Sequence, residues 1–166
     1  MRNYSVFDII GPIMIGPSSS HTAGAARLAK VAATIAGNDI IRVEFLLHGS
    51  FSKTYKGHGT DKALVAGILN MEPWDENLKN SFEIAAEKEI EVIFTPADLG
   101  DVHPNTVKFI ITKEDGSFTM VSGSSIGGGN ILIFDIDNQA VEFTGERPTL
   151  LTHHRDLPGV ISKISS

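Results

Sequence analysis

The stretch Gly16-Pro17-Ser18-Ser19-Ser20-His21-Thr22 places four hydroxyls and an imidazole in five consecutive positions. It lies between a Gly-Pro turn and an alanine-rich run that reads as a helix. A helix start presents unpaired N–H groups and the positive end of the helix dipole. Hydroxyls there cap the helix, and the same place can hold a small anion. His21 adds the side chain whose ordinary pKa lies near neutrality. The segment thus offers an anion cradle beside a proton-transfer group. Its plain structural reading is a well-capped helix.

Three more polar clusters fall on loops or element ends. In Gly57-His58-Gly59-Thr60-Asp61, glycines on both sides of His58 permit a tight bend and close backbone approach. Thr60 reads as the N-cap of a helix, so this cluster and the first both open helices and could converge on one ligand. A structural loop is the alternative. In His103-Pro104-Asn105-Thr106, His103 and Asn105 can donate hydrogen bonds to a carboxylate, or the segment is only a loop entering a strand. Gly123-Ser124-Ser125-Ile126-Gly127-Gly128-Gly129-Asn130 lacks the Lys-Ser/Thr pair of a phosphate loop and precedes a strand. It reads as a turn that brings Ser124 and Ser125 near a ligand, or as a plain hairpin. His48 ends an apolar strand and reads as structural. The loop histidines match no local zinc spacing, and no metal site is expected on this chain.

The elements that must position these clusters divide by half. Residues 20–36 read as a helix with Ala25, Leu28, Ala29, Ala32, Ile35 and Ala36 on its contact face, stopped by Gly37-Asn38. Ile40 to His48 reads as a strand burying Val43, Phe45 and Leu47, and Gly49-Ser50-Phe51 turns the chain. Helices are expected from Asp61 to about Asn70 and from Leu78 to Lys88. Strands are expected over 91–95, 106–112, 118–124, 130–135 and 140–144, with hairpin turns at Glu114-Asp115-Gly116 and Asp137-Asn138-Gln139. Early helices and late antiparallel strands predict an α+β fold, helices packed on one face of a mainly antiparallel sheet. Residues 1–144 form the main domain and 145–149 a linker. Residues 150–154 read as a strand, followed by a helix after Pro158-Gly159. That lone β–α unit either docks on the first domain or belongs to a longer protein.

Composition bounds the function. The 166 residues are 42% hydrophobic and 20% charged, as in soluble globular proteins. No apolar run approaches the roughly 20 residues that span a bilayer, and no signal peptide is evident, so a cytoplasmic location is expected. The net charge of −6, without a dense basic run, weighs against nucleic acid and anionic membranes as partners. There is no cysteine, so disulfides and thiolate-held clusters are excluded for this chain.

Together and in order, Ser5-Val6-Phe7-Asp8, Gly16 to Thr22, His48-Gly49-Ser50 with Gly57 to Asp61, His103 to Thr106, and Gly123 to Gly129 resemble the β chain of bacterial iron–sulfur-dependent L-serine dehydratase. The likeness runs from about residue 4 to the end, and five separated motifs make it specific. Such enzymes convert L-serine to pyruvate and ammonia with a [4Fe–4S] cluster and no pyridoxal phosphate. In the two-chain type the α chain carries the cluster cysteines. The resemblance therefore implies a cluster ligated by the α subunit, not by this chain. It also implies a domain similar to the allosteric substrate-binding domain of some phosphoglycerate dehydrogenases. Leu150 to Ser166 is similar to the opening of an ACT domain, here incomplete.

The resemblance further implies a division of roles. An open iron position would act on the departing hydroxyl as a Lewis acid, and a histidine of this chain would take the α-proton. His58 is the expected base, with His21 as a second acid/base or positioning group. Ser18, Ser19, Ser20 and Thr22 are expected to bind the substrate carboxylate. Gly57, Gly59, Thr60, Asp61, His103, Asn105, Ser124 and Ser125 complete the expected substrate-binding set, with Asp61 orienting His58. The expected partners are the α subunit and L-serine, in a homodimer or higher assembly. The alternative is a non-catalytic regulatory module that binds serine or a similar small anion.

Overall fold

Apolar alternation along Ile40–Leu47 builds the strand on which the rest assembles, with Val43, Phe45 and Leu47 fully buried on one face. A computed structural model describes residues 12–152, 154–155 and 157–165. The Ser5 to Asp8 motif, His153 and Asp156 lie outside the described residues.

A π-helical turn over Ser19–Gly24 runs directly into α1 (Ala25–Ala36). Then come β1 (Ile40–Leu47), α2 (Gly49–Thr54) and α3 (Thr60–Ile68). A 3-10 turn over Glu76–Asn80 leads into α4 (Ser81–Glu87). The strands β2 (Glu91–Pro96), β3 (Thr106–Lys113), β4 (Phe118–Gly127), β5 (Asn130–Ile136) and β6 (Gln139–Phe143) follow, and α5 (Val160–Ser165) comes last. The six strands form one sheet in the order β2-β1-β3-β4-β5-β6. Only β1 and β2 pair in parallel, and every other neighbouring pair is antiparallel. The expected α+β class, helices on a mainly antiparallel sheet, is what is found.

The core lies between the sheet and the helices α1 and α3. Phe94, Phe45 and Phe109 are register partners across β2, β1 and β3, and their rings pack 4.8 Å and 5.6 Å apart along that row. Small residues let the two helices approach. Ala25, Ala26, Ala29 and Ala32 of α1 and Ala63 and Ala66 of α3 are buried. At Gly67 a Cβ would press into the Ala26 carbonyl and stand 2.6 Å from Ala29 Cβ. The helices run in the same direction. Thr22 touches His58 at one end, and Ala33 and Gly37 share a cleft with Ile68 and Asn70 at the other.

Several local expectations are corrected. The first helix opens as a π-turn, not a regular α-helix. The turn expected at Gly49-Ser50-Phe51 is the start of α2. Thr60 is not the N-cap. Gly59, at φ +68°, takes that place, because a left-handed residue is needed to swing the chain from α2 into α3. Thr60 is instead drawn into the preceding turn by its N–H, which donates to Tyr55 O at 2.9 Å. The 78–88 helix divides into a 3-10 turn, capped by Asp75, and α4. The strand expected at 150–154 is not formed over 150–152, where Leu150 and Leu151 are exposed, and α5 buries none of its residues. The hairpin turn at Asp137-Asn138 is present, with both residues at positive φ as a tight two-residue turn requires. Among the described residues no helix is long and apolar enough to cross a membrane.

Candidate active site

Because α1 and α3 are parallel, both bring their N-terminal ends to the edge of the sheet where β1 ends and β3 begins. Ser18 has an extended backbone, and its Oγ accepts from His21 N at 3.1 Å, capping the π-turn. Gly24 closes that turn directly over β4. A Cβ there would collide with Ser125 Oγ and stand 2.8 Å from Ser125 Cβ. π-turns of this kind widen a helix locally and recur at functional sites. Here the turn sets His21 at the edge of the sheet.

The His21 ring is held on four sides. Its Nε2 lies 3.1 Å from Ser50 Oγ, and its Nδ1 lies 3.5 Å from Ser18 Oγ. Phe51 meets it edge-on at 5.3 Å, and the His58 ring meets it edge-on at 5.0 Å, 76° from coplanar. The Thr22 hydroxyl donates to His58 O at 3.4 Å, tying the first cluster to the second. His58 itself is exposed, and its N–H donates to Thr54 O at 3.1 Å.

The other two clusters join the same edge. Ser50 N donates to Pro104 O at 2.7 Å. Gly49, at φ +56°, packs so closely on Pro104 that a Cβ would stand 2.7 Å from its carbonyl oxygen. His103 is exposed, and its Nδ1 accepts from Asn105 N at 3.1 Å. Asn105 O accepts from Ser125 N at 2.9 Å. Ser124 Oγ lies 2.6 Å from Thr106 Oγ1, both buried. All four polar clusters therefore form one connected patch. The expected residues split by depth. Ser18, Ser19, Ser20, His21, Gly59, Asp61 and Asn105 are half-buried, while Gly57, His58 and His103 are exposed. Thr22, Thr60, Ser124 and Ser125 lie beneath the surface, and Thr60 Oγ1 and Ser125 Oγ have no hydrogen-bond partner among the described residues.

One expectation meets different geometry and another is met. Asp61 Oδ1 accepts from Lys62 N at 2.8 Å, and no hydrogen bond among the described residues joins Asp61 to His58. Burial raises its pKa above the usual carboxylate value, against the opposing pull of Lys62 and Lys56. His48 is satisfied structurally. Its Nδ1 accepts from Leu99 N at 3.1 Å, as its place at a strand end suggests. Ser50 and Phe51 read in the sequence only as part of a turn and Gly24 only as part of a helix, and the structure sets all three against the site. The available signal was Gly-Ser at the end of an apolar strand, and one glycine interrupting an alanine run.

Burial lowers the His21 pKa below the ordinary value, and the nearby His58 lowers it further. The ring is therefore neutral at pH 7. The sign for stability follows from linkage. The unfolded chain takes a proton on His21 near pH 6.5, before the folded chain does. Stability from this group is complete above that pH and falls as pH drops toward the folded-state pKa. An NMR titration is expected to place His21 below the ordinary histidine range. Ser18→Ala removes the cap and is expected to lower stability by about 1 kcal/mol in denaturant unfolding.

The comparisons with known proteins come down on one family. The family model described as serine dehydratase beta chain matches residues 5–87. The L-serine dehydratase beta chain of Peptoniphilus asaccharolyticus is 52% identical over 167 residues, spanning 100% of this chain and 75% of its own. The probable L-serine dehydratase beta chain of Bacillus subtilis (strain 168) is 45% identical over 166 residues, with the same coverage. The L-serine dehydratase of Mycobacterium tuberculosis (strain CDC 1551 / Oshkosh) is 32% identical over 170 residues. Those residues span 87% of this chain but 35% of that protein.

Proposed function

The chain belongs to the serine dehydratase beta-chain family, and from that premise we propose that it supplies the substrate-binding and proton-transfer wall of an L-serine dehydratase active site completed by an α chain. The observation that carries this reading is the meeting of the His21 and His58 rings, 5.0 Å apart, at the joint N-terminal end of two parallel helices. The Mycobacterium tuberculosis relative agrees with a partner. Its matched region is a minor part of a longer chain named L-serine dehydratase.

Forming pyruvate and ammonia from L-serine requires loss of the α-proton and of the β-hydroxyl. His58 is exposed and flanked by glycines, so a substrate can reach its ring, and it takes the α-proton as general base. It then carries a positive charge. His21, kept neutral by burial, presents no like charge to that imidazolium. The substrate carboxylate lies against the hydroxyls of Ser18, Ser19 and Ser20, in the positive field of the helix starts. Thr22 anchors His58 through its backbone rather than touching substrate. Gly57 and Gly59 keep the approach to His58 open. His103 and Asn105 line the far side, and Asp61 flanks His58. Thr60, Ser124 and Ser125 support the floor from below.

The chain contains no cysteine, and no group of His, Asp and Glu among the described residues could hold a metal ion. It does not fit an iron–sulfur cluster of its own. In this reading any cluster belongs to the α chain, and this chain's part is to bind, orient and deprotonate. Calorimetric titration of L-serine tests the division. The chain alone is expected to bind weakly, and the complex with an α chain tightly. Tight binding by the chain alone would favour a free-standing serine-binding module instead.

A further inference from the structure

His21 serves His58 as a fixed neighbour only if its ring keeps one orientation. A serine hydroxyl both donates and accepts, so it can hold an imidazole nitrogen in either tautomer, and what it fixes is the direction of the ring. Ser18 is poorly placed to fix that direction. Its Oγ already accepts from His21 N at 3.1 Å and lies 3.5 Å from Nδ1, at the limit of a hydrogen bond. Ser50 is better placed. Its Oγ lies 3.1 Å from Nε2 and has no other partner among the described residues.

Ser50 is also held firmly. Its N–H donates to Pro104 O at 2.7 Å, and its carbonyl accepts from Thr54 Oγ1 at 2.8 Å. Its neighbour Gly49 is wedged on Pro104, where no other residue fits, and its other neighbour, Phe51, is fully buried and forms an edge contact with His21. The hydroxyl is thus presented from a fixed backbone to a ring 29 residues away in sequence. Functional histidines elsewhere are held in one direction by an outer hydrogen-bond partner of this type.

We propose that Ser50 is a positioning residue: its hydroxyl, hydrogen-bonded at His21 Nε2, holds the His21 ring in one orientation beside His58. The proposal rests on the reading of His58 as the general base with His21 as its neutral neighbour. Its chemistry is local. Ser50 touches neither substrate nor the reacting atoms, and it acts only through His21.

The test has two independent readouts on Ser50→Ala and Ser50→Thr. The first is the pattern of nuclear Overhauser contacts between the His21 and Phe51 rings in the folded chain. Wild type is expected to show one fixed set of contacts, Ser50→Ala a weakened and averaged set, and Ser50→Thr, which keeps the hydroxyl, the wild-type set again. The second is L-serine turnover by the complex with an α chain. Ser50→Ala is expected to lower kcat by about 10- to 100-fold with little change in KM, the scale of a misplaced catalytic group, and Ser50→Thr to recover most of it. An unchanged set of ring contacts in Ser50→Ala overturns the proposal. Changed ring contacts with unchanged kcat leave Ser50's hold on the ring intact and overturn the part given to His21 in the reaction, so the two failures are distinguishable.

Discussion

Replacing His58 with alanine is expected to reduce L-serine turnover by roughly 10²- to 10⁴-fold in the complex with an α chain, the range supplied by one general base. The fold should be untouched. His58 is exposed, its backbone N–H bond to Thr54 O survives the change, and among the described residues its only aromatic ring contact is to His21. Circular dichroism and denaturant unfolding should therefore match wild type within about 0.5 kcal/mol, as for surface substitutions generally. Lost turnover in a folded chain assigns His58 to the chemistry. Wild-type turnover would remove it, and the base would have to be found elsewhere.

The second large effect is structural and reaches the same site from a distance. Gly67→Ala gains helix propensity worth about 1 kcal/mol. Against that, the new methyl presses into Ala26 O and stands 2.6 Å from Ala29 Cβ and 2.8 Å from Lys30 N. Two of those three neighbours are backbone of a buried helix, so no side-chain rotation relieves the clash. Overpacking of this kind costs about 1–3 kcal/mol, more where backbone must move, and the net loss expected is about 2 kcal/mol. For a chain of this size that lowers Tm by roughly 4–8 °C. Gly57→Ala is the control for stability. Its nearest atom would be Thr54 O at 3.8 Å, an ordinary contact. Forcing α1 and α3 apart also shifts the two helix starts that carry His21 and His58, so Gly67→Ala is expected to lose turnover as well as stability. An unchanged Tm would mean that the helices separate freely and that their close approach does not set the site.

Much of this was legible in the residues. Alternation at Val43, Phe45 and Leu47 marked the central strand, and the alanine face of α1 marked a helix that packs closely. The four polar clusters were visible because hydroxyls and histidines beside glycine and proline stand out from core-forming segments. Both helix-opening clusters do meet, because parallel helices put their starts on one side. What could not be read was depth and cross-chain contact. Thr60, Ser124 and Ser125 look like surface hydroxyls in sequence, yet they lie under the patch, since whether a loop residue faces in or out depends on the element packed over it. Gly24 over Ser125, Gly49 on Pro104 and Ser50 against His21 are pairings distant along the chain, and no local pattern encodes them. The π-turn at Ser19–Gly24, whose last residue lies against Ser125 of β4, likewise has no local signature in the sequence.

A shared active site, with this chain as one wall, would make activity depend on both chains. The direct measurement is pyruvate formation from L-serine under anaerobic conditions by this chain alone, by an α chain alone, and by the two combined. A shared site gives turnover only in the mixture, rising with the amount of this chain until the complex is saturated. Full turnover by the α chain alone would contradict it.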